Sequence, residues 1–160
     1  MNPTLNIRRL AYPADVATYQ AVHSWMQQQS DVYGHLHGFD DFEAFVRPDF
    51  DVLDFSLEAD GELIGFAAWM PRGKGICQFC LVTPPKPRVR LLLQLLWLMQ
   101  RLFFEQLGYH LFYIHLRPLP QYDKARRLAK WMGWREVNHD HYEVTILDHL
   151  SYLSQYEPKQ

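Results

Sequence analysis

Apolar positions along this chain recur in two rhythms, one of period two and one close to 3.6 residues. Residues 5–10 alternate, with Ile7 flanked by Asn6 and Arg8, which predicts a first strand. Pro13 and Asp15 mark a helix start. Val16, Tyr19, Val22, His23 and Met26 then return at helical spacing as far as the glutamine run 27–29. Residues 30–38 carry two glycines and predict a loop. Asp40 or Asp41 can cap a short helix bearing Phe42, Phe45 and Val46, which Pro48 ends. Residues 51–59 predict a strand, Asp60-Gly61 a hairpin turn, and residues 62–70 the returning strand. Residues 71–75 read as the next turn.

The pattern is clearest in 75–116. A short apolar β-leaning piece is followed by a basic proline-rich loop, a long helical run and a second short apolar piece. That order predicts a βαβ unit joining parallel strands 75–82 and 110–116 by a right-handed crossover. The helix, about 88–107, shows one polar stripe, Arg90, Gln94, Arg101 and Glu105, interrupted by Leu98. Nearly all its other positions are apolar, so most of its circumference is expected to be buried, and Gly108 is its natural stop. Gln94, Gln100 and Arg101 cut the run too often for a membrane span, which wants about 20 apolar residues. Beyond Pro118 and Pro120, residues 122–132 predict an amphipathic helix with Tyr122, Ala125, Leu128, Ala129 and Met132 inward, stopped by Gly133. Residues 134–137 and 142–147 predict a last hairpin. The expected order is βααβββαβαββ in a single domain over 1–150, with a polar tail, 151–160, that frays at its end.

Composition narrows the partners. The chain has 160 residues, 48% apolar and 21% charged, as an ordinary globular protein does. A net charge of −2 gives no global field to attract nucleic acid or a membrane surface. The first ten residues lack the apolar core of a signal peptide, and only two cysteines are present, so the cytoplasm is the expected compartment. Cys77 and Cys80 lie three apart in a predicted strand, on opposite faces, which predicts core thiols rather than a disulfide. His35 and His37 form an H-x-H pair with no obvious third ligand, and no metal is expected. His139 and His141 flank Asp140, where a solvated hairpin turn is expected.

Four phrases, taken in order, resemble the GNAT superfamily of N-acetyltransferases. NIRRLAYPADVATYQAV resembles its first strand and helix, and EADGELIGFAAWM its second and third strands. GICQFCLVTPP and the helix behind it resemble strand four and the acyl-CoA motif. ARRLAKWMGWREV resembles the last helix and following strand. The resemblance implies a mixed α/β (α+β) fold, a mostly antiparallel central sheet flanked by helices.

It also implies acetyl-CoA or CoA as cofactor, with the pyrophosphate on backbone amides where a glycine-rich loop opens the central helix. Here the loop reads Pro84-Pro85-Lys86-Pro87-Arg88-Val89-Arg90-Leu91-Leu92, without glycine. Prolines 84, 85 and 87 remove three amide donors, and Lys86, Arg88 and Arg90 supply cations instead. Backbone near Leu81 and Val82 is the expected contact for the acyl group, with Val89 and Leu91 at the phosphate end. The family's glutamate base falls on Gln78, its tyrosine acid on Ala129, and its asparagine on Tyr122. An amide cannot accept a proton as a base, so both acid and base positions are degenerate. His115, at the end of the strand behind the central helix, and Tyr122 are the catalytic candidates. Tyr33, His35, His37 and Gln78 are the candidates for acceptor binding.

Two functions fit. One is acetyl transfer to a primary amine, of a small molecule or a protein, by direct attack on the thioester. The other is a catalytically silent binding or assembly protein with a protein partner, as in phage-associated members with eroded motifs, in a host cytoplasm or a virion. Several copies assembling together is compatible with either. Nucleic-acid binding through Lys86, Arg88, Arg90, Lys124, Arg126 and Arg127 is weaker, because overall charge is slightly negative.

Overall fold

The computed structural model of the chain describes residues 2–138 and 140–156, with side chains as far as 151. Its elements in order are β1 (Leu5–Arg9), α1 (Val16–Gln28), α2 (Ser30–Tyr33), α3 (Phe42–Val46), β2 (Leu53–Ala59), β3 (Glu62–Gly73), β4 (Ile76–Val82), α4 (Val89–Glu105), β5 (Leu111–His115), α5 (Asp123–Trp131), β6 (Arg135–Asn138), β7 (His141–Thr145) and α6 (Ile146–Tyr156). A 3₁₀ turn, Pro120–Tyr122, leads into α5. The strands hydrogen-bond in the order β1-β2-β3-β4-β5-β7-β6. The β1/β2, β2/β3, β5/β7 and β6/β7 ladders are antiparallel, and β4/β5 is parallel. This is the mixed, mostly antiparallel sheet that the sequence predicts. Two compact units make up the chain: Met1–Met70 with Phe79–Met99, and Pro71–Gln78 with Gln100–Gln160.

In the first unit the β2–β3 hairpin turns on Asp60-Gly61, with φ of 51° and 79°. Positive φ at both central residues is the twist-matched hairpin geometry, which Asp-Gly adopts at little steric cost. β3 is buried at six consecutive positions, 64–69, because both of its faces are covered. One face, with Phe66 and Ala68, packs in a core with Tyr19, Val22 and Met26 of α1, Tyr33 of α2 and Val82 of β4. On the other face Leu92 of α4 approaches Gly65 so closely that a Cβ there would lie 2.5 Å from its Cδ2. Further along that face, Trp69 Nε1 donates to Met99 Sδ at 2.8 Å. Inside the α1 core, the Tyr19 hydroxyl donates to Asp54 Oδ2 at 2.7 Å, and Asp54 is only 8% exposed. Burial pushes the Asp54 carboxyl above its usual range, against the opposing pull of the Tyr19 hydrogen bond and Arg9.

In the second unit the end of α4 lies on β5. Phe104 stacks on Phe112 with ring centroids 4.1 Å apart, and Phe103 meets the same ring edge-on. Gln100 is fully buried here. Trp134 Nε1 is a donor only, so it must face Gln100 Oε1, at 2.7 Å. That leaves Gln100 Nε2 to donate to His149 Nδ1 at 3.0 Å and to the Met132 carbonyl at 3.4 Å. His149 therefore keeps its own proton on Nε2, which lies 3.7 Å from Glu105 Oε2.

Four expectations need correction. Residues 30–33 form a helical turn instead of loop, because the Tyr33 and Gly34 amides reach back to the Gln29 and Ser30 carbonyls. β3 runs on through Pro71 to Gly73, where Arg72 Nε bonds Gln78 Oε1 at 3.0 Å and holds the two strands together past the expected turn. His141 belongs to β7 and not to a solvated turn, whereas His139 lies outside the described residues. The segment after His149 continues as α6 to Tyr156. Its start is a reciprocal cap: Thr145 N donates to Asp148 Oδ2 at 3.0 Å and Asp148 N to Thr145 Oγ1 at 3.1 Å. The expected fraying of the extreme end falls on 157–160, outside the described residues.

Candidate functional site

In the first unit, candidate residues gather where β4 gives way to α4. Thr83 follows the strand, and the prolines behind it cannot pair their nitrogens, so the segment runs as loop to Val89. The first-turn amides of α4, at 89–91, have no intrahelical acceptor by helix geometry, and the dipole there favours an anion. Lys86, Arg88 and Arg90 are all exposed around that helix start. Arg88 Nη1 is 3.5 Å from Glu62 Oε2, while Lys86 and Arg90 have no such partner among the described residues. Val89 is partly exposed and Leu91 half-buried; Leu81 is half-buried and Val82 buried at the end of β4.

The acceptor candidates of this unit lie at the end of α2 and just after it. Tyr33 is buried, and its hydroxyl accepts from the Thr83 amide at 3.1 Å. His35 and His37 are exposed on the segment 34–41, with the His37 ring 5.1 Å from that of Phe50. That segment is pinned to α1 by two side chains the sequence reading passed over. His23 Nε2 bonds the Gly38 carbonyl at 2.9 Å, and Gln27 Nε2 donates to the Phe39 carbonyl at 2.5 Å. The spacing had marked His23 only as an inward helix position.

In the second unit a polar row crosses one sheet face. Gln78 Oε1 accepts from Arg72 Nε at 3.0 Å and from the Tyr113 hydroxyl at 3.4 Å. Tyr113 stacks on His141, centroids 5.4 Å apart and planes 14° apart. His115, exposed at the last position of β5, is paired in register with His141, and their rings are 5.0 Å apart. His141 Nε2 lies 3.4 Å from Glu143 Oε2, whose other oxygen meets Arg135 Nη2 at 3.2 Å. The structure thus brings Gln78, Tyr113, His115, His141 and Glu143 onto one face. Tyr113, His141 and Glu143 went unnoticed as a group because sheet register, not sequence spacing, unites them. Tyr122 is elsewhere, buried in the turn before α5.

The chemistry of these groups is distinct. Gln78 can orient a polar group but cannot take a proton. His115 offers an imidazole open to solvent. Burial pushes the thiols of Cys77 and Cys80 up to about 12, so neither is a thiolate nucleophile near neutral pH.

Comparison with solved structures identifies the fold. The chain is similar to the spermidine N-acetyltransferase of Vibrio cholerae in complex with CoA and spermine, with a TM-score of 0.72 and 16% identity, over 91% of this chain and 98% of that one. A dodecameric structure of that enzyme in an intermediate state matches with a TM-score of 0.67 and 16% identity, over 96% of this chain and 98% of the other. No family model matches the chain, and no curated protein matches it in sequence. The fold is that of the GNAT acetyltransferases, as the four sequence phrases imply.

Proposed function

We propose that this chain is an N-acyltransferase that moves the acetyl group of acetyl-CoA to a primary amine. The observation that carries the reading is the fold shared over nearly all of both chains with an N-acetyltransferase whose structure holds CoA and spermine. The start of α4 supports it. Free first-turn amides and the exposed side chains of Lys86, Arg88 and Arg90 suit the phosphates of CoA. A polyamine is the first acceptor class to try, and an assembly of several copies fits the same likeness.

In the reaction the neutral amine nitrogen attacks the thioester carbonyl carbon. A C–N bond forms, the C–S bond breaks, the amine gives up one proton, and CoA leaves as the thiol. His115 is the group we assign to the departing proton. It is exposed and has an imidazole, whereas Gln78 at the family's base position has no basic atom.

The test has two steps: calorimetry with CoA, then thiol release from acetyl-CoA with spermidine, spermine and simple amines between pH 7 and 9.5. The expected result is CoA binding, with turnover that is slow at pH 7 and rises as more of the amine is already deprotonated. A chain that binds no CoA and releases no thiol with any amine overturns the reading. In that case a silent binding role becomes the better description.

A further inference from the structure

The segment 83–88 has almost no means of holding itself in place. Three of its six residues are proline, so only Thr83, Lys86 and Arg88 carry an amide N–H. Its far end is tied by Arg88 to Glu62 at 3.5 Å, with the two side chains 48% and 71% exposed. An exposed pair of that kind contributes little.

The near end is different. Gln29 Nε2 donates to the Thr83 carbonyl at 2.8 Å. The Thr83 amide donates to the Tyr33 hydroxyl at 3.1 Å, and Thr83 Oγ1 lies 3.4 Å from the same oxygen. Both backbone groups of the first loop residue are thus taken up by side chains that bracket α2. Neither side chain is free to swing. Tyr33 is 8% exposed within the α1 core, and Gln29 Nε2 is also held by the Trp25 carbonyl at 3.2 Å. Burial also raises the Tyr33 phenol above its ordinary range, so it stays a neutral hydroxyl that can accept the amide hydrogen bond.

We propose that Gln29 and Tyr33 are positioning residues for the proline loop: together they fix the point where β4 ends, and so set the arrangement of Lys86, Arg88 and Arg90 that phosphate binding needs. The proposal rests on the acyl-CoA reading above and adds two residues to it. A loop poor in amides has to take its shape from outside, and Thr83 is where it does so.

The experiment compares wild type, Tyr33→Phe and Gln29→Met. Tyr33→Phe keeps the buried ring and removes only the hydroxyl; Gln29→Met keeps length and removes the donor. Three quantities are read: hydrogen exchange at the Thr83 amide by NMR, CoA affinity by calorimetry, and the KM values for acetyl-CoA and for the amine. Tyr33→Phe is expected to speed Thr83 exchange at least about tenfold, and each variant to weaken CoA binding roughly 3- to 10-fold, the scale of one hydrogen bond. In Gln29→Met the acetyl-CoA KM should rise with the dissociation constant while the amine KM stays put, a split that general loosening of the core would not give. Unchanged exchange at Thr83 in Tyr33→Phe overturns the clamp. Faster exchange with unaltered CoA affinity overturns its positioning role. A wild type that binds no CoA sinks the acyl-CoA reading and the positioning role with it, and the Thr83 exchange rate then still reports whether the hydroxyl holds the strand end. If Tyr33→Phe fails to fold, Gln29→Met carries the same comparison through CoA affinity and the KM split.

Discussion

Replacing Gln100 by leucine should be among the most damaging single changes in the second unit. The side chain is 0% exposed, as is His149, and Trp134 is 4% exposed. Its amide serves three neighbours at once: Trp134 at 2.7 Å, His149 at 3.0 Å and the Met132 carbonyl at 3.4 Å. Leucine is apolar and of similar bulk, so the loss is not a cavity effect. What is lost is hydrogen bonding inside a dry environment, where a buried polar group stripped of a partner costs about 1–3 kcal/mol. The Met132 contact is long and counts least. The Trp134 and His149 bonds together set an expected destabilisation of about 2–6 kcal/mol, partly offset because the buried amide no longer has to be desolvated.

Urea unfolding followed by far-UV circular dichroism measures the loss, with an unchanged m-value showing that the compact state is the same. A second variant makes the attribution specific. Trp134→Phe removes the indole donor, so the Gln100→Leu, Trp134→Phe pair should be less damaging than the sum of the two by about 1–3 kcal/mol. A Gln100→Leu loss below about 1 kcal/mol, or strict additivity with Trp134→Phe, would refute the view that this amide is a shared anchor.

Leu95 is fully buried on α4, and Leu95→Ala should cost about 2–5 kcal/mol in the same unfolding assay. Asp54 gives a signed pH dependence. Its folded carboxyl is raised above the ordinary 3.8, so its contribution to stability is fully present below pH 4 and is lost as pH rises through the folded value. The stability of Asp54→Asn relative to wild type should therefore improve between pH 4 and pH 8, as read by melting temperature at each pH. A flat or falling difference would show that Asp54 is not a strained carboxylate. Arg88→Ala with Arg90→Ala should weaken CoA binding roughly 10- to 100-fold by calorimetry, on a scale of about 1.5–3 kcal/mol for hydrogen bonds to charged groups. Unaltered binding would show that the amides of α4 suffice.

Much of the fold was legible because it depends on local periodicity. Of the stripe Arg90, Gln94, Arg101 and Glu105, all are exposed on α4 but the half-buried Arg101, and Leu98 is exposed among them as the interruption implies. The Asp60-Gly61 turn and the Asp41 cap, which accepts from the Glu43 and Ala44 amides, follow from residue type alone. The missed α6 was also written locally. Thr145-Ile146-Leu147-Asp148 has the spacing of a capping box, but the run 142–147 also reads as a strand, and that reading hides it. Gln100 was read as a break in an apolar run, since nothing in sequence shows that Trp134 and His149, 34 and 49 residues on, come to meet it. The row Gln78, Tyr113, His141 is of the same kind: strand register decides it, and register was not fixed by spacing.

The departures at the proline loop and at Gln78 have a common physical sense. In each case the resemblance would place a group that works through fixed geometry, and this chain has one that works through a mobile or weaker interaction. Backbone amides at 84, 85 and 87 are absent, and long cationic side chains stand near by. At Gln78, where the resemblance would place a carboxylate base, the amide is held by Arg72 and Tyr113. Cationic side chains bind phosphate well, but they must be ordered first, which costs conformational entropy that a preformed backbone cradle does not. The tight hold on Thr83 by Gln29 and Tyr33 lowers that cost by fixing the loop's root in advance. No comparable device serves at Gln78, because an oriented amide cannot accept a proton. On the acyl-CoA reading proposed above, affinity for the acyl donor is the property these residues are best arranged to supply. Under the proposed acyl transfer, proton removal then falls to His115 or to prior deprotonation of the amine itself.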